Sequence, residues 1–434
     1  MLFHIKTYGC QMNERDSETI VGIFNELNFS KIDDPILSDF LVINTCSVRE
    51  NADNKLKGLL GKLKHLYEKK EKIPKVLVCG CMMQVEETRE KILQDFPFIS
   101  FVFGTQNIDE LKTYLKGERR KKITILNNRK SILEGLPVER SFKYRALVNI
   151  MEGCNNFCSY CIVPYVRGRE KSRTYSNIKN EIVEAINAGV KEIILLGQNV
   201  NSYNNDGLDF SNLLVKILEL PILRLRYMTA NPKDISDDLI SLHKKYKNLM
   251  PSMHIPIQSG SSRILKLMNR KYTKEDYLKL IQKIKSINPD IEITTDIMVG
   301  FPGETEDDFL ETLDVVNKVK FNSVFTFIYS KRPMTEAAKL SYDISKEELK
   351  DRFKRLTESI YKIMQDKNIG KVGKDFEIFV DKYDFKKKTF SGKAEDGSRI
   401  NIEDNSQIKI GDIVKVHISK ASVFYLMGKV LKKS

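Results

Sequence analysis

The sequence predicts an α/β protein in three parts, and three observations carry the prediction. Over the first 120 residues, apolar strand-like runs alternate with helical stretches. From Ala146 the alternation restarts and supplies six strand candidates in a row. Beyond Gly370 it gives way to short strands of period two separated by turns. The expected fold is an N-terminal α/β domain with a mostly parallel sheet, a central (β/α)6 partial barrel and a small C-terminal antiparallel β-barrel.

In the first part the runs are LFHIKTYGC, TIVGIFNEL, FLVINTC, NKLKGLLGKLKHLYEKK, KVLVCGC, VEETREKILQDF and FVFGT, giving a domain over 1–118. Residues 119–139 are charged and polar apart from ITIL and read as a linker. The core, 140–369, carries the strand candidates ALVNIME, EIILLGQ, LRLRYMT, MHIPIQ, EITTDIMVGF and SVFTFIYS, separated by five helical stretches. Functional groups of such a barrel belong at the carboxyl ends of its strands. Ser345 and Glu348 form a capping-box pattern that opens a helix ending near Ile369, with Gly370 as its stop. The last part, 370–434, holds DFEIFVDKYD, KTFSGKAEDG, RINIED, DIVKVHIS and FYLMGKVL, five short strands suited to a small barrel.

No run of 18 apolar residues is present and the start lacks a signal-peptide pattern, so a cytoplasmic protein without a membrane partner is expected. In that compartment clustered thiols point to metal or catalysis rather than disulfides. Lys plus Arg number 72 against 58 Asp plus Glu, a net charge of +14 that favours a polyanionic partner. Residues 371–434 alone carry 14 basic and 9 acidic side chains, with Phe385, Phe390, Phe424 and Tyr425 near loops or strand ends as stacking candidates for RNA bases.

Three of the seven cysteines, Cys154, Cys158 and Cys161, crowd into EGCNNFCSYC just after the first barrel strand. Zinc asks for a fourth His or Cys ligand, and none of the five histidines is near in sequence. Three soft thiolates on a four-iron cluster leave one iron open to another ligand. Cys10, Cys46 and Cys81 each stand at the carboxyl end of a predicted N-terminal strand, where open α/β sheets gather ligands, and make a second site. Cys79, further back on its strand, reads as a buried structural thiol. By location alone, Gln198 and Asn199 after the second strand, Gln258 and Ser259 after the fourth, and Gly300 and Gly303 in GFPGET after the fifth are cofactor or substrate candidates. Pro302-Gly303 suits a type II turn.

The CxxxCxxC stretch at the end of the first strand of a six-unit barrel resembles the radical S-adenosylmethionine enzymes. The resemblance implies that the open iron chelates the amino and carboxylate groups of that cofactor, whose cleavage gives a 5′-deoxyadenosyl radical, and that Tyr160 packs on the adenine. The whole order, a three-cysteine N-terminal domain, a radical core and a C-terminal TRAM domain that binds RNA, resembles the methylthiotransferases. NTCSVRENA, MEGCNNFCSYCIVPYVRGREKSR, ILLGQNVNSY and LRYMTANPKD are similar to the branch that modifies N6-dimethylallyladenosine beside the anticodon of tRNA. Two departures are Met334 in RPMTEAA, where glycine is usual, and Met83 in GCMMQ, where alanine is usual.

That resemblance implies two [4Fe-4S] clusters: one on Cys154, Cys158 and Cys161 that cleaves S-adenosylmethionine, the other on Cys10, Cys46 and Cys81 carrying sulfur on its open iron. One cofactor molecule methylates that sulfur and a second supplies the radical that activates C2 of the adenine. Expected partners are a tRNA carrying N6-dimethylallyladenosine and an electron donor protein, with the enzyme a monomer. Arg167, Arg169 and Arg173 are candidates for cofactor carboxylate or RNA phosphate, since guanidinium pairs with both. Rival readings are a methylthiotransferase acting on threonylcarbamoyladenosine or on a ribosomal protein, and a non-catalytic iron–sulfur RNA-binding redox sensor.

Overall fold

The structure, a computed structural model, describes residues 1–434 apart from 49, 70, 118–122, 128, 130, 404–406 and 434. In the N-terminal domain six parallel strands lie in the order Ser30–Lys31, Leu2–Tyr8, Phe40–Thr45, Lys75–Gly80, Ile99–Phe103 and Ile123–Ile125. The central strand FLVINT is buried at every residue, because helices cover both faces of the sheet. Two expectations change. The ITIL run assigned to the linker supplies the sixth strand, paired with Ile99–Phe103, so the sheet extends past the expected boundary at 118–119, which itself lies outside the described residues. The first helix, Gln11–Glu26, starts directly at Cys10, well before the apolar run from Thr19 that signals it.

The core has all six expected strands: Arg145–Asn149, Glu192–Leu196, Arg224–Tyr227, Ser252–His254, Glu292–Val299 and Ser323–Ile328. They form two parallel three-stranded sheets joined by a bridge between Leu225 and Leu249. Among the described residues the first strand pairs only with the second and the sixth only with the fifth, which leaves the barrel open along that side. Alternate residues sort by face: Ala146, Val148, Ile193, Leu195, Ile293 and Ile297 pack under the outer helices in one large core, and Leu147, Ile194 and Leu196 face the lumen. Ser345 caps the long helix Lys346–Ile369 by accepting from the Glu348 N–H at 3.1 Å. The Glu348 carboxylate pairs with Arg352 at 2.8 Å instead of closing a reciprocal box, and Gly370 stays right-handed at φ −64°.

The C-terminal domain is a closed barrel of Asp375–Asp384, Thr389–Ala394, Arg399–Glu403, Leu426–Lys433 and Ile413–Ala421, in that order around the wall. Its strands pair antiparallel except Arg399–Glu403 with Leu426–Lys433, which run parallel. The intervening strand Ile413–Ala421 has paired across the barrel with Asp375–Asp384, so the last strand returns in the direction of the third.

This barrel docks on the amino-terminal ends of the core strands. Arg145 pairs with Asp381 at 3.0 Å, Arg224 donates to the Lys393 carbonyl at 3.0 Å, and Arg226 donates to that of Ala394 at 2.6 Å. On the other half Lys371 sits 2.7 Å from Asp396 and 3.6 Å from Glu292. Glu192, fully buried, holds Arg145, Arg224 and Arg226 together. Burial opposes its ionisation, but the three guanidiniums outweigh burial and hold its carboxyl down at about 2. No helix among the described residues is long and apolar enough to cross a membrane.

Candidate functional site

The three cysteines of EGCNNFCSYC leave the first barrel strand through Gly153, whose φ of +80° and close approach to the Arg169 carbonyl oxygen exclude a side chain. Each sulfur then meets N–H donors. Cys154 accepts from the Asn156 backbone N–H at 3.5 Å and from its amide at 3.4 Å. Cys158 accepts from Arg270 at 3.4 Å, and Cys161 from the Val163 backbone. Burial pushes the Cys161 thiol up to about 12 and raises that of Cys154.

Cys10, Cys46 and Cys81 converge from the ends of three adjacent parallel strands. The Cys46 thiol hydrogen-bonds to Cys10, which lies at the N-terminus of Gln11–Glu26. This bond, the charge of Arg167 and the N–H groups of Asn13 and Met12 outweigh burial and lower Cys10 to about 5, while the same bond together with burial raises Cys46. Cys46 accepts from the Val48 N–H at 3.3 Å. The strand carrying Cys79 stops at Gly80, so Cys81 opens a 3₁₀ turn and leaves the sheet, and Cys79 stays packed in the apolar layer with Leu77 and Phe103. Burial raises Cys79 well above the ordinary thiol range.

Arg167 joins the two groups of cysteines. It follows the core triad in sequence, is 3% exposed, and reaches across to donate from Nε to Cys81 Sγ at 3.2 Å and from a terminal nitrogen to Asp16 at 2.7 Å. Its carbonyl accepts from Gln106 at 2.8 Å, and Cys81 packs with Val85, Ile162 and Val166. Met12 and Cys10 pack against the lumen residues Leu147, Ile194 and Leu196. Arg332, just past the sixth strand, donates to the Val48 carbonyl at 2.9 Å. The N-terminal domain thus caps the carboxyl end of the barrel with its cysteines on the capping side.

The remaining candidates divide. Tyr160 packs into a cluster with Ile264, Met268, Phe301 and Tyr329, which brings it beside the GFPGET segment. That segment turns as expected, with Glu304 N–H bonded to the Phe301 carbonyl at 2.9 Å and Gly303 at φ +80°; Gly300 stands at φ +75°. Gln258 is buried in a left-handed conformation, φ +76°, uncommon outside glycine. Gln198 accepts from the Gly153 N–H at 2.6 Å and so braces the cysteine loop. Asn199 spends its amide on Asp234 and the Asn231 N–H, and Ser259, fully buried, bonds to Thr312 and the Ser261 N–H. Both hold loops together. Arg167 and Arg173 are buried in internal pairs, Arg173 with Glu181 at 2.6 Å, so neither is presented to RNA; Arg169 is exposed and lies 4.2 Å above the Phe157 ring. Phe390 belongs to the C-terminal core, whereas Phe385, Phe424 and Tyr425 are exposed. Arg270 and Asp16 were invisible in the sequence, since only folding brings them to the sulfurs and to Arg167.

Family comparisons match residues 2–104 to "Uncharacterized protein family UPF0004", 148–316 to the "Radical SAM superfamily" and 370–431 to the "TRAM domain". The tRNA-2-methylthio-N(6)-dimethylallyladenosine synthase of Clostridium perfringens strain SM101 is 45% identical over 441 residues, covering 99% of this chain and 98% of that one. The chain belongs to this synthase family. The Clostridium tetani synthase is likewise 45% identical, over 437 residues covering 98% of this chain and 96% of its own. Among solved structures, the radical S-adenosylmethionine methyltransferase TsrM of Kitasatospora setae shares the fold, with TM-score 0.57 at 13% identity over 78% of this chain and 75% of that one.

Membership in the family brings S-adenosylmethionine and two [4Fe-4S] clusters as cofactors. The donor chemistry fits them: all six candidate sulfurs receive N–H groups, the environment that stabilises bound thiolate. Among the described residues no three His, Cys, Asp or Glu close on a single ion, whereas the thiolates of a four-iron cluster each bind their own iron.

Proposed function

We propose that the protein methylthiolates C2 of N6-dimethylallyladenosine in tRNA, with Cys154, Cys158 and Cys161 holding the cluster that binds S-adenosylmethionine, and Cys10, Cys46 and Cys81 holding the auxiliary cluster. When bound, these groups supply radical formation and a sulfur-carrying iron. The chain's own residues do the placing. Arg167 and the Ile162–Val166 contact fix the two cysteine sets against each other, and this juxtaposition is the observation that carries the reading. Gln198 and Gly153 set the start of the radical loop, and Tyr160 with Phe301 offers an aromatic wall for the cofactor's adenine. Phe385, Phe424 and Tyr425 on the basic C-terminal barrel are the stacking groups for RNA. The reading includes a cytoplasmic monomer reduced by an electron donor protein.

The test is reconstitution with iron and sulfide, followed by incubation with S-adenosylmethionine, a reductant and a tRNA bearing N6-dimethylallyladenosine. Nucleoside analysis should show the 2-methylthio product together with 5′-deoxyadenosine. Deoxyadenosine without product on this tRNA, but with product on a threonylcarbamoyladenosine tRNA, would move the protein to another branch. Iron counting assigns the ligands: Cys81→Ala and Cys158→Ala should each lose about four irons.

A further inference from the structure

The lumen face of the last two barrel strands carries an apolar strip that the site described above does not use. Ile293, Ile297 and Val299 pack outward under the helices, so Thr294, Asp296 and Met298 face inward. The parallel register sets Ser323, Phe325 and Phe327 beside those three, on the same face. Phe325 and Phe327 are 50% and 45% exposed, although both lie on a core strand of the central domain. Large apolar side chains left open in a concave site mark a binding surface. The strip is continuous with the cofactor end, because Met298, the neighbour of Phe327, packs on the cluster that holds Phe301 and Tyr160. It also lies on the edge strand of the open side, where a base can reach it.

We propose that Phe325 and Phe327 bind the dimethylallyl group of the substrate nucleoside, with Phe325 as the specificity-determining residue. The inference rests on the proposed function and adds the substituent-binding wall to it. A five-carbon alkenyl group has no hydrogen-bonding capacity and gains only from apolar contact, which two open phenyl rings supply. The charge beside the strip selects among substituents. Asp296 is the lateral neighbour of Phe325 and lies 3.5 Å from His254, whose ring meets Phe325 edge-on at 5.8 Å. A threonylcarbamoyl group would bring its own carboxylate against Asp296 and be repelled; the uncharged alkenyl group is not.

The test uses the reconstituted holoenzyme and two tRNAs that differ only in whether the target adenosine carries the N6-dimethylallyl group. Binding is read by anisotropy, and turnover as KM and kcat separately. Phe325→Ala should weaken binding of the alkenylated tRNA and raise its KM on the order of tenfold, the discrimination expected for lost alkyl contact. Binding of the unsubstituted tRNA should change less than twofold. Phe325→Leu, which keeps an apolar contact, should restore most of the difference and covers the case in which the alanine variant folds poorly. Equal loss for both tRNAs, or no loss for either, overturns the proposal. A wild-type enzyme that binds both tRNAs equally overturns it too, whereas tight, selective binding without methylthiolation overturns the reaction assigned above and leaves the binding wall standing.

Discussion

Removal of the Arg167 side chain tests whether the two cysteine sites are mechanically one unit. The guanidinium side chain is 4% exposed and its partner Asp16 14%. Arg167→Ala leaves Asp16 buried without a counter-charge and Cys81 without its donor. Breaking a buried pair from one side costs about 3–5 kcal/mol, and the residual hydration of Asp16 places this case near 3 kcal/mol. Because the loss is local, it belongs in the opening equilibrium of the 81–85 and 160–171 segments, where about 3 kcal/mol is roughly a hundredfold. Hydrogen exchange on peptides from those two segments should therefore speed up by about that factor, while the C-terminal barrel is unchanged. The paired change Asp16→Leu with Arg167→Met should recover most of the protection, since an apolar replacement of both partners is near neutral. It should not recover iron at the auxiliary site, where loss of an outer hydrogen bond weakens metal affinity about 10–100-fold. Exchange within threefold of wild type in Arg167→Ala, with full iron content, would refute the coupling.

Glu192→Gln removes the one charge that three guanidiniums share at the base of the barrel; a cost of about 3 kcal/mol is expected, read as a lower Tm and as faster proteolytic release of the C-terminal barrel. His243 is buried and hydrogen-bonded to Tyr227 at 2.8 Å, and burial lowers its pKa from 6.5 to about 4. Its stabilising contribution is complete above pH 6.5 and is lost as pH falls toward 4, amounting to about 3 kcal/mol across that window; urea midpoints between pH 7 and 4 should show it, and His243→Gln should flatten the slope. Cys79→Ala should keep the iron that Cys81→Ala loses, as counted after reconstitution. Met334 stands at φ +68° and is half exposed, so Met334→Gly should be neutral or raise stability by up to about 1 kcal/mol, and Met334→Ala should not.

The strand pattern was legible because burial on both faces writes continuous apolar runs, as in FLVINT, and strand ends were legible because Gly and Cys stop those runs. Five C-terminal strands were readable from period two, though the parallel closure was not, since pairing across a barrel leaves no local signature. ITIL looked like linker because three residues at an edge are too short to outweigh the charges around them. The cysteines mark the candidate site by their spacing and position. Its supporting residues do not: Arg167 reads as one of several basic residues in VRGREKSR, and Cys81 is 86 residues away in sequence. Asn199 and Ser259 show the opposite failure, since strand-end position predicts proximity to a site but cannot say whether an amide or hydroxyl is already used by a neighbouring loop. Phe325 was within reach of sequence reasoning, because period two on SVFTFI sets Phe325 and Phe327 on the face opposite Val324.

The docking of the two flanking domains constrains how RNA reaches the chemistry. The C-terminal barrel covers the amino-terminal ends of the core strands, touching Arg145, Arg224, Glu292 and Asn322, while the N-terminal domain covers the carboxyl ends through Met12, Cys10 and the Val48–Arg332 contact. Among the described residues the first and sixth strands are left unpaired on their facing side, and the binding wall proposed above uses that side as the way into the lumen. A base arriving there meets Phe325 and Phe327 first and the cysteine end beyond them. An RNA gripped by Phe385 or Phe424 at the far end must run along the barrel to deliver it. Stacking on those rings therefore sets reach rather than base identity. Phe385→Ala should weaken binding of alkenylated and unsubstituted tRNA alike, by about 1–3 kcal/mol, and leave the ratio between them untouched. A change in that ratio, read in the same anisotropy assay, would place Phe385 at the reacting base and refute the side-on path.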